Sequence, residues 1–118
     1  MKFVFTVKGQ YLDFKIKNNQ IVMAEDKDVE IAIGHVVDMV SSGLVKRKEK
    51  GIELERRSRN FWNKIKKGMP EDVGANLEAN PEDEATKEAF ATELERLMKS
   101  QNVKMSVVSL LFNNGIRF

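Results

Sequence analysis

The stretch RRSRNFWNKIKKG, from Arg56 to Gly68, gathers six basic side chains around the adjacent Phe61 and Trp62. Groups of these types bind anions. Arg56, Arg57, Arg59, Lys64, Lys66 and Lys67 can neutralise phosphates while Trp62 stacks on a base, which makes nucleic acid one expected partner. The same charges can meet an acidic protein surface, in a partner protein, in another copy of the chain or within the chain itself. The plainest alternative is a helix whose outer face is simply solvated.

Catalytic chemistry has less to build on. His35 is the one histidine, and Asp38 follows it at helical spacing, so the two can form a local pair on a helix. A histidine base normally works with a nucleophile and an orienting carboxylate, and nothing in the sequence selects either. Carboxylates cluster at Glu25, Asp26, Asp28 and Glu30 and again at Glu82, Asp83 and Glu84, but neither order matches a calcium loop. Acids placed to complement a helix N-terminus account for both clusters. The seven glycines are dispersed and complete no phosphate-binding motif. No catalytic residue, metal or cofactor is therefore expected. An enzyme or small-ligand binder without a sequence signature is the third functional class.

These groups need a scaffold, and 118 residues with 42% hydrophobic and 32% charged side chains suit one domain with a modest core. The absence of cysteine removes disulfides and thiolate chemistry and fits a cytoplasmic protein. The sequence predicts neither a standard export signal nor a membrane-spanning segment.

Phe3, Phe5 and Val7, then Leu12, Phe14 and Ile16, alternate with period two on either side of Gly9-Gln10. A second break at Asn18-Asn19 leads to Gln20–Ala24, so residues 1–24 are expected to form a three-stranded antiparallel meander. Its outer face is half apolar, with Val4, Thr6, Tyr11 and Val22, and offers a second place for a partner chain. Val29, Ile33, Val36, Val37 and Val40 predict a helix over 26–43, ended by Ser41-Ser42-Gly43. A basic helix over 45–67, a loop over 68–81 containing both prolines, and a helix over 82–101 carrying Phe90, Leu94, Leu97 and Met98 follow. The tail, 103–118, reads as a strand over 103–108 or a short helix ending near Gly115. The expected fold is a single α+β domain, a meander packed by two or three helices with the C-terminal segment returning to the core.

Charge is segregated along the chain. Residues 46–67 hold ten basic against three acidic groups, and residues 71–95 hold nine acidic against Lys87 alone, so the overall +2 conceals two opposed blocks. On a helical wheel Phe61 and Ile65 share the apolar stripe, the basic groups fill the polar side, and Trp62 falls at about 80° from the stripe, on its border. The sequence thus leads to a non-enzymatic binding protein, a regulator or inhibitor acting through protein contact or homo-oligomerisation, of the accessory kind that mobile elements encode. Nucleic-acid binding through 46–67 is the alternative, weakened by the acidic block and by the absence of any zinc-finger, RNP or KH pattern. Which reading holds depends on where the two blocks lie relative to each other.

Overall fold

The computed structural model describes residues 2–7, 10–17, 20–23 and 26–115, with side chains for 27–111. Where side chains are described the protein is entirely helical, with no strand: α1 (Asp26–Lys50), α2 (Arg56–Lys66), α3 (Glu71–Ala79), α4 (Glu84–Leu97) and α5 (Gln101–Gly115). This overturns the expected α+β class, in which a meander carries the core beneath two or three helices. The core described is helix packed on helix, and Val36, Val40, Leu44, Trp62, Leu77, Phe90, Leu94, Val107 and Leu111 are its largest fully buried side chains.

Residues 2–23 enter through the backbone alone. Segments β1 (Lys2–Val7), β2 (Gln10–Lys17) and β3 (Gln20–Met23) pair antiparallel in the order β1-β2-β3, with Phe3 opposite Phe14 and Phe14 opposite Met23. Their side chains, and with them the half-apolar outer face, lie outside the described residues. So do Gly9, Asn18, Asn19, Ala24, Glu25 and residues 116–118.

Three element boundaries also differ from expectation. Ser41-Ser42-Gly43 does not end the first helix: the Ser41 hydroxyl donates to the Asp38 carbonyl at 3.3 Å, and Leu44 continues the buried stripe of Ala32, Val36, Val37 and Val40. α1 ends at Gly51, whose φ of 67° is left-handed and whose N–H donates to the Arg47 carbonyl at 3.0 Å. The expected basic helix over 45–67 is therefore split, its first part ending α1 and the rest forming α2.

The expected loop over 68–81 contains α3, started by Pro70 and the first-turn acids Glu71 and Asp72, and anchored by buried Leu77. The tail is α5 rather than a strand. Val103, Val107, Val108, Leu110 and Leu111 recur at helical spacing, and burial of that stripe overrides the β-branched preference of its valines. Among the described residues no helix is long and apolar enough to cross a membrane.

Candidate binding face on α2

α2 has an unusual start, because Arg56, Arg57 and Arg59 crowd the end where the helix dipole disfavours cations. Glu55 compensates. Its carboxylate accepts from the backbone N–H groups of Arg57 at 3.0 Å and Ser58 at 3.1 Å, closing two of the open donors. The Arg57 N–H chiefly holds the Glu55 carboxyl below its usual range, against slight desolvation, with help from the Ser58 N–H and the charges of Arg57 and Arg56.

The inner face of α2 is Ser58, Phe61, Trp62 and Ile65, all buried. Trp62 is only 1% exposed, which corrects its expected place at the border. Its ring meets that of Phe90 on α4 edge-on, with centroids 5.3 Å apart and planes at 81°. With α4 covering that edge of the stripe, Trp62 presents no ring for a base to stack on.

The outer face carries the remaining basic groups. Arg56, Arg57, Lys64 and Lys67 are exposed and Arg59 is half-buried, and none of the five makes an ion pair among the described residues. Lys64 instead donates to the Ser106 hydroxyl of α5 at 3.0 Å. That bond spans an open groove of about 300 Å³ between α2 and α5, walled by Arg57, Asn60, Lys64, Ser106 and Ser109, with Phe61 and Leu110 at its base. Met105, on α5, is 52% exposed.

Lys66 behaves differently from its neighbours. Its ammonium lies 6.0 Å from the Trp62 ring centre and 3.6 Å from Glu78 Oε1, while Arg47 Nη2 of α1 sits 2.7 Å from Glu78 Oε2. Arg47 also reaches Glu53 at 3.6 Å, and Lys48 donates to the Ala79 carbonyl. α3 is thus tied to the ends of α1 and α2 through one carboxylate. Burial pushes the Glu78 carboxyl up, but the Arg47 hydrogen bond, the charges of Lys66 and Arg47 and the nearby Trp62 indole N–H together hold it below the usual range.

Of the acidic block, Glu78 alone forms an ion pair with the basic block among the described residues. Glu84 pairs within α4 with Lys87 at 3.8 Å, and Glu93 with Arg96 at 2.8 Å. Arg96 also donates to the Gly68 carbonyl at 2.9 Å, joining the ends of α4 and α2.

Sequence reasoning placed six of its seven site residues on the polar side of α2, and the structure leaves five of those with free charge. It missed Arg47 and Glu78, which are 31 positions apart and share no local signal, and it missed the α5 wall, which the spacing of Val103, Val107 and Leu110 could have revealed. His35 is buried on α1 beside exposed Asp38. No group of three or more His, Asp or Glu able to hold a metal occurs among the described residues. No family model, curated protein or solved structure matches the chain.

Proposed function

We propose that this is a non-enzymatic, cytoplasmic binding protein, a regulator or inhibitor that acts by docking an acidic protein surface on the outer face of α2 and the adjoining α2/α5 groove. One observation carries the reading: five cations on α2 and its C-cap form no ion pair among the described residues although the chain carries its own acidic block. They border a groove with an apolar base, which suits a protein segment presenting both carboxylates and small apolar side chains. The buried Trp62 favours this reading over nucleic acid, because a basic face without an exposed aromatic holds phosphates by charge alone.

Titration of the full chain with a labelled glutamate-rich amphipathic peptide, and with single- and double-stranded DNA and RNA of equal charge, tests it. At about 0.15 M salt, where the Debye length is about 8 Å, the peptide is expected to bind and the oligonucleotides to be released. The triple substitution R56E/R57E/R59E should abolish peptide binding. Salt-resistant oligonucleotide binding with no binding of the peptide would overturn the proposal in favour of nucleic acid.

A further inference from the structure

We propose that the acidic surface received by α2 is the outer face of α4 in a second copy of this chain, docked head to tail. This rests on the reading of α2 as a protein-binding face and names its partner. The two faces each turn away from the contact between their helices. α2 and α4 meet through Trp62 and Phe90, and Leu97 of α4 lies against Gly68 at the end of α2. At 100° per residue, the direction opposite Trp62 on α2 falls between Asn60 and Lys64, and the direction opposite Phe90 on α4 falls between Glu88 and Thr92. The outer face of α2 is therefore basic and that of α4 acidic.

The two charge lines also match in length. Arg56 and Lys67 are eleven positions apart on α2 and its C-cap, and Glu84 and Glu95 are eleven apart on α4, about 16 Å in each case. In an antiparallel docking Glu84 faces Lys67, Glu88 faces Lys64 and Glu95 faces Arg56. The same orientation brings the small side chains Ala85 and Ala89, beside the acidic line on the exposed face of α4, over the mouth of the α2/α5 groove. Arg96 is turned toward Glu93 and the Gly68 carbonyl and does not oppose the approach. Antiparallel helices also set their dipoles favourably.

Because the two faces differ, each docked copy leaves one basic and one acidic face open, so the assembly grows beyond a dimer or closes into a ring. Exposed ion pairs are individually weak, which makes the assembly concentration-dependent and sensitive to salt.

Sedimentation velocity of the full chain at about 0.05 M and about 0.5 M salt tests this. The expected result is an average mass that rises past the dimer with concentration at low salt and returns to monomer at high salt. R56E/K64E/K67E and E84K/E88K/E95K should each be monomeric alone at low salt, and an equimolar mixture of the two should associate again. Circular dichroism verifies that both variants are folded, and the wild-type salt series decides the question alone if one is not. A wild-type chain that stays monomeric at low salt up to about 1 mM, about 4 kcal/mol of association free energy, overturns the proposal. So does either variant associating as the wild type does. If the chain is monomeric yet still binds the acidic peptide, only the second copy is wrong; if both fail, the binding face on α2 is wrong as well.

Discussion

Glu78 joins the two charge blocks by ion pairs. Its carboxylate is partly enclosed and takes Arg47 on one oxygen and Lys66 on the other. Because its acidity is raised in the folded protein, its contribution to stability is complete above the unfolded value of 4.5 and is lost as pH falls through the lower folded value. Glu78→Gln should therefore cost about 1 kcal/mol in urea unfolding at pH 7, and the cost should shrink as pH is taken well below 4.5. An unchanged cost in acid would show that the carboxylate charge is not what matters. Trp62 acts through volume instead. Trp62→Ala opens the space between α2 and α4 and should cost about 3–5 kcal/mol. Its burial was only half legible in sequence: the stripe of Phe61, Trp62 and Ile65 is plain, but a wheel centred on Leu54 places Trp62 too near the edge. Leu54 precedes the helix and lies off its wheel.

Glycines in α1 separate local propensity from packing. Gly34 has open space where a Cβ would stand, so Gly34→Ala should raise stability by about 0.5–1 kcal/mol through helix propensity. At Gly43 the same Cβ would fall 2.8 Å from Leu54 Cγ, a buried side chain with little room to move, and Gly43→Ala should cost about 1–3 kcal/mol. Opposite signs in thermal melts of the two variants would confirm that the 51–55 connection packs against α1. Gly43 looked like a helix stop in sequence for the same reason that it is needed: a small residue at a crossing resembles a small residue at a turn. At the start of α2, Glu55→Ala should lose about 1 kcal/mol, read by urea unfolding, because it reopens two backbone donors beside three arginines. Helices α1, α2 and α4 were legible from apolar spacing. α3 was hidden by its two flanking turns and a single buried leucine. α5 stays open between strand and short helix in the sequence because its β-branched valines compete with its helical spacing.

At the scale of the molecule, the two charge blocks meet at Glu78, while the outer face of α2 stays basic and the outer face of α4 acidic. Trp62 on α2 and Phe90 on α4 meet edge-on in the core, and the basic outer face of α2 and the acidic outer face of α4 each turn away from that contact. The sequence shows both blocks but not this arrangement, which depends on a contact between residues 62 and 90. The proposed binding by the basic face rests on that contact, and Trp62, the single tryptophan, reports on it. Acrylamide quenching of its fluorescence in the folded chain, with and without a saturating glutamate-rich peptide, is the most direct test. The emission should be blue-shifted, barely quenched and unchanged by the peptide, because the proposed docking face is the opposite face of α2. A water-like emission that acrylamide quenches freely, or that the peptide shields, would place Trp62 on the binding surface and contradict the arrangement on which the proposed function rests.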